Sequence, residues 1–283
     1  MHTLWVREHN RIAAILKRLN PHWRPNQLYE ETRRIVIAQV QHITYSEWLP
    51  IIIGPSLMNK LGINVLRNGY RNSYDPSVDP RIASEFSTAA FRFGHSLVQG
   101  IYRMISASGR QSTLILRNTF NAPGILQNNP EYVDGLVNAL TLQNAQTLDS
   151  RITQELSNHL FETPSTRGFG MDLMSLNIQR GRDHAISTYN AMREVFGVGR
   201  ARTFLDLKNT TPEELIIRIQ GVYRSVDDID LWIGGMTETS VPDGLLGPTF
   251  GNIVGRQFQV AQNGDRFFYD MGNQAGSFTP GKG

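Results

Sequence analysis

Apolar positions recur every three or four residues along most of the chain, the spacing of helices that bury one face. Trp5, Ile12, Leu16 and Leu19 share a side of a helix predicted over residues 4–19, which Asn20-Pro21 ends. A second helix is expected from Pro25, carrying Leu28, Ile35, Ala38, Val40 and Ile43 and closing near Tyr45. Residues 48–54 read as an apolar connection, and residues 55–78, rich in Gly, Asn, Asp and Pro, as an irregular loop. Asp79-Pro80 pairs an N-cap residue with a first-turn proline, which predicts a helix from there to about Met104. After a polar stretch over 106–130, helical patterning resumes across 132–161. Gly168-Phe169-Gly170 then breaks the chain before a helix over 170–182. Further helices are expected from His184 or Ala185 to Phe196, from a capping box at Thr211-Pro212-Glu213-Glu214 to Tyr223, and from Pro248 to Asn263-Gly264. The result is an all-α fold with long irregular loops: one domain over 1–271 and a flexible, glycine-rich tail over 272–283.

The composition narrows the chemistry. With 283 residues, 40% hydrophobic and 19% charged, the chain is long enough and apolar enough for a large core. The net charge of +3 is small and its basic residues are dispersed, so a nucleic-acid partner is not expected. The absence of cysteine excludes disulfides, thiolate metal sites and cysteine nucleophiles. Arg7, Glu8 and His9 interrupt any early apolar run, so no signal peptide is read, and no stretch has the length of a membrane span. Asn209-Thr210-Thr211 is a glycosylation sequon, usable if the protein is exported.

Two short constellations carry candidate chemistry. In Phe91-Arg92-Phe93-Gly94-His95, the predicted helix puts Ile82, Phe86, Ala89, Phe93 and Leu97 on one stripe and His95 on the other side with Phe91, Val98 and Tyr102. A helix apolar on both faces would hold a neutral imidazole away from water, the form that ligates haem iron, with Arg92 one turn away for a propionate. In the second constellation, Leu173, Leu176, Asn177 and Arg180 share a helix face, where Asn177 could take the ring proton of His95 and Arg180 pair a carboxylate. Spacing alone fits equally well a core histidine bonded to a carbonyl, a helix-bending core amide and a surface arginine. Asp183-His184 with Ser187 does not make a hydrolase, since adjacent helical side chains diverge. The short glycine motifs lack the third glycine and preceding strand of a nucleotide site.

Ordered matches along the whole chain are more specific. They include His2-Thr3-Leu4-Trp5-Val6-Arg7-Glu8-His9-Asn10-Arg11, Asn20-Pro21-His22-Trp23, Gln41-His42-Ile43-Thr44-Tyr45 and Tyr74-Asp75-Pro76-Ser77-Val78-Asp79-Pro80. They continue through the His95 segment, Asn177-Ile178-Gln179-Arg180-Gly181-Arg182-Asp183-His184 and Asn263-Gly264-Asp265-Arg266-Phe267. On these residues the chain resembles the animal haem peroxidases. The resemblance implies haem b with His95 as proximal iron ligand, Asn177 as its hydrogen-bond partner, and propionate contacts from Arg92 and Arg180. It implies oxidation of phenolic, tyrosyl or halide donors by hydrogen peroxide, a role under oxidative stress, extracellular localisation and a matrix or cell-surface partner. In such relatives the distal histidine, the calcium loop and the ester-forming glutamate precede the segment matching Met1. The resemblance therefore places here the proximal part of an N-terminally incomplete domain, with calcium and any covalent haem link expected elsewhere and no distal catalytic residue assignable. A haem-binding or adhesion protein without catalysis is the alternative. Phe196 and Asn252 stand where relatives often carry a bridged cysteine pair, and Ala185 stands at a common glycine.

Overall fold

The computed structural model describes residues 1–129, 131–166 and 168–278 and is mostly helical, as the periodicity implies. Its contacts group into two compact units.

The first unit comprises Met1–Arg81, Val241–Leu246 and the described residues from Gly255 onward. Helix α1 (His2–Leu19) packs on α2 (Pro25–Ile43). The apolar connection expected over 48–54 is helical instead. A π-turn, Thr44–Trp48, carries α2 into α3 (Leu49–Ile53), and Pro50 lacks the N–H that a regular α-turn would use there. Gly54, at φ +82, ends α3 in a conformation that disfavours any side chain. The loop expected over 55–78 begins with a further helix, α4 (Pro55–Leu61). Tyr45 anchors this unit's core: its ring meets Phe258 and Phe268 edge-on, and its hydroxyl donates to the Phe258 carbonyl at 2.7 Å.

The second unit comprises Ile82–Ser240 and Gly247–Val254. The single helix expected from Asp79 to Met104 is not formed. Asp79 caps only a local turn, accepting from the Arg81 N–H at 3.0 Å. The chain then forms the short α5 (Ser84–Thr88), breaks at Ala89 (φ −132, ψ −72), tightens into a 3₁₀ segment over Ala90–Leu97 and ends as strand β1 (Ile101–Ile105). Strand β2 (Gln111–Ile115), inside the stretch read as polar loop, pairs with β1 antiparallel, Ile101 opposite Ile115. Pairing with the next strand across the short turn over 106–110, where Gly109 takes φ +79, overrides helical spacing here, and β-branched Ile101 and Ile105 suit a strand. Phe91 is 43% exposed, so the expected burial of both faces around His95 is also corrected.

Helix α6 (Gly124–Gln127) precedes α7 (Glu131–Leu142), which packs on β1 around a core of Met104, Leu114 and Ala139. The helix expected over 132–161 stops at Leu142, and α8 (Gln154–Ser157) follows an irregular stretch. Helix α9 (Leu173–Asp183) starts at an Asp172 cap, which accepts from the Met174 N–H at 2.9 Å. Ala185 takes φ +49, so α10 (Tyr189–Val195) begins after Thr188 and not at His184 or Ala185. Helix α11 (Glu213–Gln220) has Pro212 at its N-cap, and the capping box expected at Thr211 is absent. True capping boxes form at Thr203 with Asp206 and at Ser225 with Asp228.

Helix α12 (Leu231–Thr237) lies against α10 so closely that a methyl on Gly234 would overlap the Tyr189 ring. Beneath it, Glu238 accepts from the Tyr189 hydroxyl at 2.8 Å and from the Thr249 N–H and hydroxyl at 2.7 and 2.6 Å, with Arg193 Nη1 3.6 Å away. Helix α13 (Pro248–Asn263) begins at that cluster. Residues 279–283 of the expected flexible tail lie outside the described residues.

Candidate functional site

His95 and Asn177 come together in the second unit from segments 82 residues apart. His95 lies near the end of the 3₁₀ segment and is half-buried; Asn177, in the middle of α9, is fully buried. A buried carboxamide costs about 1–3 kcal/mol unless its groups are paired, and this one is paired at both ends. Its Nδ2 lies 2.9 Å from His95 Nδ1, and its Oδ1 accepts from Arg92 Nη1 at 3.1 Å.

The donor pattern sets the proton on the ring. Arg92 can only donate, so the Asn177 oxygen faces it and the amide nitrogen faces His95. Nδ1 therefore accepts and Nε2 carries the hydrogen. The expectation from sequence is a ring that donates to Asn177; here the amide nitrogen faces the ring as donor. A ring whose Nε2 binds a metal needs the other tautomer, reached when the carboxamide turns over and Arg92 leaves it.

Electrostatics favour a neutral ring. Burial pushes the His95 pKa below its ordinary value and the Arg92 charge adds to this, against the Asn177 hydrogen bond, which raises it. Burial and the neighbouring Arg180 charge also lower the Arg92 pKa, so two guanidinium groups sit close enough to repel. Arg180 itself is exposed on α9. All four residues singled out in the sequence thus belong to one neighbourhood: an imidazole backed by a carboxamide and two cations that, among the described residues, pair with no carboxylate.

Two further contacts escaped the sequence reading. The Ser87 carbonyl accepts from Arg92 Nε at 3.1 Å, and the Trp232 indole approaches the Arg92 carbonyl at 3.5 Å. Trp232 is 140 residues away from Arg92, and no local signal links them. A cavity of about 290 Å³ also opens on Asn177, lined among others by Ile178, Gly181, Arg182 and Trp232. The donor set suits haem: one neutral nitrogen ligand, a partner behind it and cations for propionates. Among the described residues no cluster of three or more His, Asp or Glu could hold a bare metal ion, and no helix is long and apolar enough to cross a membrane.

Comparison with known proteins agrees. The family described as animal haem peroxidase matches residues 1–282. Chorion peroxidase of Drosophila melanogaster is 40% identical over 98% of this chain, and thyroid peroxidase of Sus scrofa is 38% identical over 95%. The chain spans 34% and 29% of their lengths. Peroxidase A of Dictyostelium discoideum superposes with a TM-score of 0.80 at 34% identity, over 95% of this chain and 49% of that structure. A fatty acid alpha-dioxygenase of Arabidopsis thaliana shares the fold alone, with a TM-score of 0.74 at 18% identity. The chain belongs to the animal haem peroxidase family.

Proposed function

We propose that this chain is the proximal part of a haem-dependent peroxidase domain, with His95 as the axial iron ligand. The carrying observation is the pair of His95 Nδ1 and Asn177 Nδ2 at 2.9 Å, in a neighbourhood that keeps the imidazole neutral. Bound haem b supplies the redox chemistry, in which peroxide is reduced and phenolic, tyrosyl or halide donors are oxidised. His95 offers Nε2 to iron. Asn177 fixes the ring plane and, with its carbonyl turned to Nδ1–H, raises the basicity of the ligand less than a carboxylate would. Arg92 and Arg180 bind and orient the propionates, which relieves their mutual repulsion.

We assign residues 1–271 to the peroxidase domain and expect a calcium site and any covalent haem link outside this segment. Relatives named for the chorion suggest an extracellular setting, with a matrix or cell-surface partner.

Titrating haem into the purified chain tests this reading. A histidine-ligated Soret band that disappears in His95→Ala supports it; an identical band in that variant overturns it. Haem binding without peroxide turnover would favour the adhesion alternative.

A further inference from the structure

The hydroxyl of Thr211, a residue 3% exposed, is buried without a hydrogen-bond partner among the described residues. The capping role that its position before Pro212-Glu213-Glu214 suggests is not filled, since α11 starts from Pro212 without a side-chain cap. An unpaired buried hydroxyl costs about 1–3 kcal/mol, and valine has the same shape without that cost. A threonine in such a place, third in an Asn-x-Thr triplet, points to a reader other than the fold.

Two residues earlier, Asn209 ends the 3₁₀ turn Phe204–Asn209 with its side chain exposed, and its carboxamide bonds to no described residue. Thr210 between them is not proline, and no other Asn-x-Ser/Thr triplet occurs in the sequence. We infer that Asn209 is an N-glycosylation site whose recognition hydroxyl, on Thr211, is read before this region folds. The Asn209 amide nitrogen forms a bond to the anomeric carbon of a lipid-pyrophosphate-linked oligosaccharide. The bond from that carbon to the pyrophosphate oxygen breaks, the lipid pyrophosphate leaves with its electron pair, and the amide proton passes to a base of the transferase.

The structure sets the order of events. Once Thr211 is buried its hydroxyl is out of reach, so transfer competes with folding, and Pro212 directly after the triplet slows it further. Partial occupancy is the expected pattern. The folded chain accommodates the product, because the exposed Asn209 side chain carries the glycan into solvent.

This inference rests on the extracellular reading, so the experiment supplies the route. The whole chain is expressed behind a secretory leader in insect cells, and cell-retained and secreted material are both treated with a peptide N-glycosidase. The expected result is a heavier species that collapses on treatment and leaves aspartate at 209. Asn209→Gln and Thr211→Val should both lack it, Thr211→Ser should retain some, and Thr211→Val should melt no lower than the parent. Unmodified Asn209 throughout, or a glycan that survives in Thr211→Val, overturns the site. A clearly lower melting temperature for Thr211→Val overturns the claim that the hydroxyl is structurally idle. Failure of the native protein to be exported would leave these results intact and refute only the localisation.

Discussion

Asn177 Nδ2 lies 2.9 Å from His95 Nδ1 while Asn177 Oδ1 accepts from Arg92, so one carboxamide reads both the ring and the cation beside it. The carboxamide is the hinge of the site: its orientation decides which ring nitrogen is protonated and whether Arg92 is held or released.

Asn177→Ala removes the partner behind the ring and leaves Arg92 Nη1 without its acceptor. We expect haem affinity to drop about 10–100-fold and stability to fall by about 1–3 kcal/mol. Haem titration and urea unfolding read the two effects separately. Unchanged affinity would detach Asn177 from the ligand.

Asn177→Asp replaces the amide by a carboxylate that accepts from both neighbours. The ring then donates Nδ1–H to an anion and becomes a stronger ligand that favours ferric iron. A lower ferric/ferrous midpoint potential, measured by spectroelectrochemistry, is the expected outcome; a rise would contradict the proposed orientation.

Gly234→Ala puts a methyl inside the space of the Tyr189 ring. Neither backbone nor buried ring has room to move, so a loss of about 3 kcal/mol is expected. Thermal unfolding checks it, and a near-neutral result would mean that α12 can slide away from α10.

Glu238 is buried, which pushes its carboxyl pKa up, while Thr249, Tyr189 and Arg193 all pull it down. Glu238→Ala strands Arg193 in the interior, and a cost of about 3–5 kcal/mol follows. Glu238→Gln keeps one oxygen for the Tyr189 and Thr249 hydroxyls but sets an amide NH2 against the Thr249 N–H, and it should still lose less than the alanine. Chemical denaturation of the two variants, compared side by side, tests the order.

The Arg117 guanidinium holds the Glu155 carboxyl below its ordinary range. A carboxyl with a depressed folded pKa contributes stability that is complete above its unfolded value and is lost as pH falls through the folded one. The urea midpoint should therefore fall on acidification below about pH 5, and Glu155→Gln should make that decline shallower. An equally steep decline in the variant would show that other groups carry the acid sensitivity.

Local sequence determined where several of the helices lie, because one-sided apolar spacing and the Pro25 start signal act within a few residues. It offered His95, Arg92, Asn177 and Arg180 as candidates, and their assignment came from the family resemblance, since spacing alone fits ordinary core and surface roles equally well. The segment around His95 is a 3₁₀ turn running into a strand because β2, just across the turn over 106–110, pairs with residues whose spacing also fits a helix. Tertiary structure alone turned the Asn177 oxygen toward Arg92, and it left Thr211 buried without capping α11. The orientation of Asn177 and the burial of Thr211 depend on which distant donors and acceptors meet in space, and no local pattern encodes such meetings.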